Sequence, residues 1–160
     1  LYLFCDFQGY SLMAMGASYC LGIRCPRNFR APFAAVDIKD FWNRWHITLS
    51  TWFRDFVFMR FTRWIMHRKL LRDRLQVAMC AFMVDMLVMG FWHGIAWCYI
   101  AYGLYHGVLL AATQAMQKRW WFYKRHRRDG WFRACSWAVT QVLVFLGFAI
   151  FSGQVGMLLG

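Results

Sequence analysis

The chain contains five histidines, and His93 lies in the position best suited to chemistry. It occurs within the longest apolar stretch of the sequence, between Arg74 and Lys118. A charged side chain inside a lipid bilayer is costly, so an ionisable residue there is a functional candidate. A neutral imidazole in such surroundings is suited to act as a general base. The position is equally compatible with a buried histidine that hydrogen-bonds to a neighbouring helix.

The other four histidines have different surroundings. His106 also lies in apolar sequence, and we expect a structural role for it. His46 lies among tryptophans, where packing at the membrane interface alone would account for it. His67 and His126 are flanked by lysines and arginines, so we expect both to face solvent or lipid headgroups.

Few other groups in the sequence suggest chemistry. Asp85 lies within an apolar stretch and requires a partner, for which Arg54 is one candidate. The six cysteines lack metal-ligand spacing, and we expect them to serve as small hydrophobic residues. The sequence contains no nucleophile elbow, phosphate-binding loop or metal motif. We therefore expect neither a metal site nor a covalent nucleophile.

The composition identifies the class of protein that must position these residues. Of the 160 residues, 61% are hydrophobic and only 16% are charged, yet the net charge is +12. Soluble domains are more polar, and disordered chains have low hydrophobicity. A basic nucleic-acid binder would carry its charge on a more polar chain, so we expect no nucleic-acid partner. The composition therefore predicts an integral membrane protein with cationic loops.

Uncharged stretches predict membrane spans at about 5–23, 75–92, 95–117 and 132–151. As one helix, the stretch from 75 to 117 would be roughly 65 Å long, about twice the hydrocarbon thickness of a bilayer. We therefore expect a hairpin that turns near His93. Basic clusters at 60–74 and 118–128 flank this hairpin, and the positive-inside rule assigns both to the cytoplasmic side.

The segment 38–67 is aromatic but too charged for a simple span. Asp37 and Asp40 resemble the capping pair of a helix start, and Thr48 or Ser50 is expected to cap a second helix. Such a segment lies in the membrane interface or enters the membrane as a re-entrant element packed against protein. The predicted fold class is thus all-α, a polytopic transmembrane protein with re-entrant or interfacial helices.

Two sequence blocks resemble the membrane-bound O-acyltransferase (MBOAT) family. The first block covers 37–57 and reads DIKDFWNRWHITLSTWFRDFV, and the second covers 90–94 and reads GFWHG. The continuations FMRF at 58–61 and YGLYHG at 102–107 resemble the D-alanyl-transferring branch of that family. The resemblance covers most of the chain. It implies that residues 1–160 are the C-terminal part of one MBOAT membrane domain.

The resemblance implies an activity and a set of site residues. In this family a tunnel brings a cytosolic acyl donor to an acceptor on the outer side of the membrane. His93 matches the key histidine and His46 the second one, with Asn43, Trp45 and Trp92 in support. The implied donor is a D-alanyl thioester on the phosphopantetheine arm of an acidic carrier protein, with no bound cofactor. The implied acceptor is a hydroxyl of a teichoic-acid-type envelope polymer, and the implied location is the bacterial cell membrane.

The second half of the segment 38–67 is predicted to be an amphipathic helix. Its apolar face contains Phe53, Val57, Phe61 and Trp64, with arginines on another face. An acidic carrier protein would be steered to such a basic and aromatic surface. Contact with lipid headgroups explains the same charges equally well. The residues proposed as a carrier dock are Arg60, Phe61, Thr62 and Arg63.

Two alternative functions remain open from the sequence. The first is a polysaccharide O-acetyltransferase on the same fold, using a different donor. The second is a non-enzymatic membrane channel or transporter, in which His93 would line a pore. Whichever acyl group is transferred, His46 and His93 can share one site only if residues 41–50 enter the membrane or the hairpin turns near the middle of the bilayer. Otherwise His46 and His93 would lie at opposite membrane faces.

Overall fold

The computed structural model describes residues 2–153, and these residues form eight α-helices and no strand. Two shorter helical turns complete the secondary structure, a 3-10 turn at Pro32–Ala34 and a π-helical turn at Arg54–Phe58. The predicted all-α class is therefore confirmed. The α-helices are α1 (Tyr2–Cys20), α2 (Ile38–Trp42), α3 (Ile47–Phe53), α4 (Met59–His67), α5 (Arg74–His93), α6 (Trp97–Arg119), α7 (Trp121–His126) and α8 (Gly130–Phe151).

Two helices, α5 and α8, are long and apolar enough to cross a membrane. Helices α1 and α6 lie over the other two predicted spans, and their crossing of a membrane stays a prediction.

Helices α5 and α6 form the predicted hairpin. His93 is the last residue of α5, and Gly94 follows with a φ of 151°, a conformation that residues with a Cβ rarely adopt. The two helices approach closely because glycines face the opposite backbone. A Cβ on Gly90 would lie 2.6 Å from the carbonyl oxygen of Tyr99, and one on Gly103 would overlap the carbonyl oxygen of Met86. Small residues allow this close packing of helices.

Helix α8 packs against the other side of α6. The Tyr105 hydroxyl donates to the carbonyl oxygen of Leu143 at 2.9 Å. Gly147 faces the ring of His106 so closely that a Cβ there would lie 2.5 Å from Nε2. His106 is only 1% exposed, which agrees with the structural role expected for it.

Helix α2 begins with the predicted capping pair. The Oδ1 atom of Asp37 accepts from the backbone N–H of Asp40 at 2.8 Å, and Oδ2 of Asp40 accepts from the N–H of Val36 at 3.2 Å. These reciprocal bonds satisfy N–H groups that the first helical turn leaves free. Phe41 and Trp45 then enter the aromatic core, where Trp45 packs on Phe148 of α8 with ring centroids 5.0 Å apart.

Polar bonds join α2 to α6 and α7. The Nζ atom of Lys39 donates to the side-chain oxygens of Gln114 and Gln117 at 2.7 and 3.1 Å. Oδ2 of Asp37 accepts from Nε2 of Gln117 at 3.0 Å and from the hydroxyl of Tyr123 at 3.3 Å. Burial lowers the pKa of Lys39, whereas the charge of Asp37 opposes this shift.

Helix α3 differs from the prediction in two respects. It begins at Ile47 with His46 as the capping position, so the prediction that Thr48 or Ser50 caps it is wrong. The π-helical turn that follows α3 holds one extra residue, which shifts the buried face of α4 by one position. Ile65 is therefore buried and Trp64 is 51% exposed, although the sequence pattern assigned Trp64 to the apolar face.

Candidate active site

His46 and His93 line the same small cavity. The cavity has a volume of about 70 Å³ and its walls are almost entirely apolar. We call it the histidine pocket, and its lining residues are Leu3, Phe7, Trp42, Trp45, His46, Leu49, Met89, His93, Tyr102, Phe148 and Phe151. The fold therefore brings together the two histidines singled out in the sequence.

A loop residue orients His46. Its Nδ1 atom lies 3.4 Å from Oδ1 of Asn28, which also accepts from the hydroxyl of Thr48. The backbone carbonyl of Asn28 accepts from the N–H of Ile47 at 2.8 Å, which holds the turn before α3. Because Oδ1 is an acceptor, Nδ1 of His46 carries the proton, and Nε2 keeps its lone pair.

The backbone of His46 has an uncommon conformation. Its φ is 45°, in the left-handed region. Residues with a Cβ adopt this conformation infrequently, and such residues cluster at functional sites. Burial lowers the pKa of the His46 imidazole, and the nearby His93 lowers it further. Both causes favour the neutral ring, which is the form that accepts a proton.

His93 occupies the opposite wall of the histidine pocket. Its ring is half-buried and meets Phe151 edge-to-face at 5.1 Å between centroids. The neighbouring rings of Trp92 and Tyr99 lie at 4.9 and 6.0 Å. Because α5 ends at His93, the imidazole lies at the turn of the hairpin rather than within the closely packed helix pair.

A second and larger cavity adjoins the histidine pocket. It measures about 490 Å³ and shares Trp42 and Met89 with the smaller one. We call it the large cavity, and its walls combine apolar side chains with cations and hydroxyls. The lining residues are Arg30, Lys39, Asp40, Trp42, Asn43, Ile47, Ser50, Thr51, Arg54, Phe58, Phe82, Asp85, Met86, Met89 and Leu110.

Comparison of the sequence with models of known protein families identifies the family of this chain. The model of the MBOAT, or membrane-bound O-acyltransferase, family matches residues 1–155. The chain belongs to the MBOAT family.

Individual relatives agree with this membership. The chain is 45% identical to a teichoic acid D-alanyltransferase of Bacillus subtilis (strain 168), over 96% of this chain and 39% of the relative. It is 44% identical to the teichoic acid D-alanyltransferase of Streptococcus thermophilus, over 94% of this chain and 39% of the relative. A probable alginate O-acetylase AlgI of Azotobacter vinelandii is 33% identical over 95% of this chain and 28% of the relative. The chain thus spans about two-fifths of the length of the D-alanyltransferases.

The three supporting residues named by the MBOAT resemblance occupy different places. Trp45 is buried in the wall of the histidine pocket. Asn43 lines the large cavity instead. Trp92 is 58% exposed and packs edge-to-face on His93 and on Phe53, but it is not among the residues that line the pocket.

The four residues predicted as a carrier dock lie on α4, away from the walls of the large cavity. Arg60 and Arg63 are exposed, and the guanidinium of Arg60 lies 5.5 Å from the ring centre of Phe56. Phe61 and Thr62 are half-buried. The predicted dock is therefore an exposed basic surface with two half-buried residues, and none of the four lines the large cavity.

The structure adds site residues that the sequence did not indicate. Asn28 orients His46 from a loop with no recognisable motif. Arg30 and Lys39 line the large cavity, and Arg54 lines it while its Nε atom bonds to Asp55 at 2.9 Å. Arg54 is thus paired with its sequence neighbour and does not serve as the partner of Asp85.

Proposed function

We propose that this chain forms the acyl-transfer site of a membrane O-acyltransferase that moves a D-alanyl group from a carrier-protein thioester to a hydroxyl of a teichoic-acid-type polymer. The observation that carries the proposal is the shared pocket of His46 and His93, adjoining a larger cavity. Membership in the MBOAT family and identities of 40–45% to teichoic acid D-alanyltransferases support it.

The chemistry assigns different tasks to the two histidines. The neutral His93 takes the proton of the acceptor hydroxyl as its oxygen attacks the thioester carbonyl carbon. The new C–O bond forms, the C–S bond breaks, and the proton passes to the departing thiolate. Neutral His46 has its Nδ1 proton directed to Asn28, so its Nε2 can only accept a hydrogen bond. Because the single proton of the acceptor hydroxyl goes to His93, the donor to Nε2 is the ammonium group of the D-alanyl unit, which His46 thereby orients. No metal and no covalent enzyme intermediate is required.

The large cavity receives the phosphopantetheine arm of the donor. A volume of about 490 Å³ lies within the range of small-molecule sites in proteins. Its wall reaches the histidine pocket at Trp42 and Met89, so a thioester entering through it would arrive beside the histidines. Asn43, on the same wall, is available to contact the donor.

The arrangement in the membrane follows from the ends of the hairpin. Arg74 begins α5 and Arg119 ends α6, so both basic ends lie on one side, which we assign to the cytoplasm. Phe82, Asp85 and Leu110 of the large cavity lie closer to this end than His93 does. The proposed protein is multi-pass in the bacterial cell membrane. Its segment 38–67 is re-entrant or interfacial, and this brings His46 to the level of His93.

The exposed arginines of α4 form the proposed dock for an acidic D-alanyl carrier protein. Arg60, Phe61, Thr62 and Arg63 combine positive charge with aromatic surface. Replacing Arg60 and Arg63 by Glu should weaken carrier binding at least tenfold in detergent, because the charges would then repel the carrier. The matched control replaces Lys124 and Arg125 of α7 by Glu. Unchanged affinity, or equal loss in the control, would leave lipid headgroups as the partners of these arginines.

A second candidate activity is O-acetylation of a polysaccharide. Probable alginate O-acetylases are 32–36% identical to this chain over about 95% of its length, which favours this alternative over a channel or transporter. The D-alanyltransferases are more similar over the same residues, so we rank D-alanyl transfer first.

Replacing His93 by Ala in the full-length gene product tests the proposed activity. General-base catalysis contributes about 10²–10⁴-fold, so ester-linked D-alanine on the envelope should fall to background. His67→Ala, at an exposed position of α4, serves as the control. Retained esterification with normal expression of the His93 variant would refute the catalytic assignment. Loss of ester-linked acetate instead of D-alanine would favour the second activity.

A further inference from the structure

Asp85 is a buried carboxylate with an unmet hydrogen-bonding requirement. It lies on α5, is 8% exposed and lines the large cavity. Within residues 2–153, its Oδ1 atom is buried and has no hydrogen-bond partner. Of the cations that line the same cavity, Arg54 bonds to Asp55, and Lys39 bonds to Gln114 and Gln117. A backbone hydrogen bond from Phe58 reaches this carboxyl group but leaves Oδ1 unsatisfied. Native proteins rarely leave a buried carboxylate oxygen without a partner unless it has a ligand or a function.

The position of Asp85 along α5 limits which chemical groups can hydrogen-bond to its carboxylate. Asp85 and His93 are separated by eight residues of α5, which is about 12 Å along the helix axis. Met89, midway between them, lines both cavities. A group transferred at His93 therefore lies too far away for contact with Asp85. This excludes the ammonium of a D-alanyl group, which is only two bonds from the reacting carbonyl carbon.

The arm that carries the thioester has donors at the right distance. The pantetheine chain bears an amide N–H next to the cysteamine unit, a second amide N–H farther out, and a hydroxyl beyond it. At about 1.3 Å per bond, the first N–H lies roughly 4 Å from the sulfur, whereas the second N–H and the hydroxyl lie roughly 9 and 13 Å away in an extended arm. With the sulfur beside His93, the two outer donors reach the level of Asp85.

We propose that Asp85 binds the outer amide N–H or the hydroxyl of the pantetheine arm and thereby selects donors that carry the complete arm. This assignment rests on the proposed function, because it takes the thioester carbonyl to lie beside His93. The cations Arg30 and Lys39 also line the large cavity, where the phosphate at the end of the arm would meet them. Lys39 is held in place by Gln114 and Gln117.

The test compares two probes that differ only in the part of the arm that reaches Asp85. S-methyl pantetheine contains both amides and the hydroxyl, whereas S-methyl N-acetylcysteamine ends after the first amide. Binding of each to the full-length protein in detergent is measured by calorimetry for wild type, Asp85→Ala and Asp85→Asn. The control is Asp129→Ala, in the turn before α8, where the half-buried carboxylate pairs with His126 and lines neither cavity.

Wild type should prefer the pantetheine probe, and Asp85→Ala should lose roughly 10- to 100-fold of that preference, as expected for a hydrogen bond to a charged group. Asp85→Asn keeps an acceptor oxygen and should lose less. The short probe should bind all variants equally. Equal weakening of both probes, or an unchanged preference in Asp85→Ala, would overturn the assignment and make Asp85 a structural residue.

Transfer assays separate this inference from the proposed function. If wild type prefers the pantetheine probe through Asp85 but transfers no D-alanyl group, the proposed function fails and the assignment of Asp85 survives. If D-alanyl transfer occurs and Asp85→Ala raises KM equally for the carrier-bound donor and for D-alanyl N-acetylcysteamine, the assignment fails and the proposed function survives. The expected result is a KM increase for the carrier-bound donor alone.

Discussion

The indole Nε1 of Trp42 donates to Nδ1 of His106 at 3.3 Å, and this buried bond joins α2 to the middle of α6. Trp42 lines both the histidine pocket and the large cavity, so the bond fixes a side chain that belongs to the walls of both. The opposite side of the His106 ring faces Gly147 of α8. One buried imidazole thus connects three elements around the site.

Replacing His106 by Phe should lower the melting temperature in detergent. The change removes the acceptor of the Trp42 N–H, and an unsatisfied buried donor costs about 1–3 kcal/mol. His106→Gln, which can still accept from the indole, should be less destabilised. The exposed His67→Phe is the control. Equal melting temperatures for His106→Phe and wild type would show that the bond contributes nothing to stability.

Replacing Gly103 by Val should abolish the folded hairpin. A Cβ at this position overlaps the carbonyl oxygen of Met86, and that backbone atom cannot move without separating α5 from α6. We expect little monodisperse protein in gel filtration of detergent extracts. Gly9→Val meets nothing within 4 Å in the structure and serves as the control. Normal yield of the Gly103 variant would contradict the close packing described for these helices.

Replacing Gly94 by Ala should lower the rate of acyl transfer while changing the melting temperature little. The φ of 151° is strained for alanine, at a cost of about 1–3 kcal/mol, and the new Cβ would lie 3.0 Å from the ring of Tyr99. Relief of this strain moves the adjacent His93. Gly22→Ala, at a φ of 74° with no neighbour within 4 Å, introduces strain without a contact. Turnover and melting temperature are measured for both variants. Equal turnover of the Gly94 and Gly22 variants would contradict this expectation.

Stability should fall as the pH decreases below about 6.5, partly because of His46. Burial lowers the pKa of this imidazole in the folded protein, whereas the unfolded chain keeps the ordinary value of about 6.5. Below that value the unfolded state binds the proton first, so the stabilisation present at neutral pH is progressively lost. His46→Gln should flatten the dependence of melting temperature on pH between 7.5 and 5. An identical slope in the variant would refute this contribution.

Local features of the fold were predictable from the sequence. The reciprocal bonds of Asp37 and Asp40 follow from residue types at a fixed spacing, and the structure confirms them. The hairpin turn after His93 follows from the length of an uncharged stretch and the adjacent Gly94. Both depend on neighbours in the chain, which a sequence pattern records directly.

Features that depend on distant segments were not predictable. The π-helical turn at Arg54–Phe58 changes the buried face of α4, and no residue type in that turn signals it. The contact of Asn28 with His46 requires the loop after α1 to fold against the start of α3. The common pocket of His46 and His93 depends on how α2 and α3 pack against α5, so the sequence left two arrangements open.

The bonds of Lys39 and Asp37 to α6 and α7 have a consequence for evolution and engineering of the site. His46 and His93 lie on separate segments, and the proposed acyl transfer would require their alignment to within about half an ångström. Alignment is therefore set partly by amide and phenol side chains at the opposite end of α6. Substitutions at Gln114, Gln117 or Tyr123 would therefore shift His46 relative to His93, although every residue of the histidine pocket is unchanged.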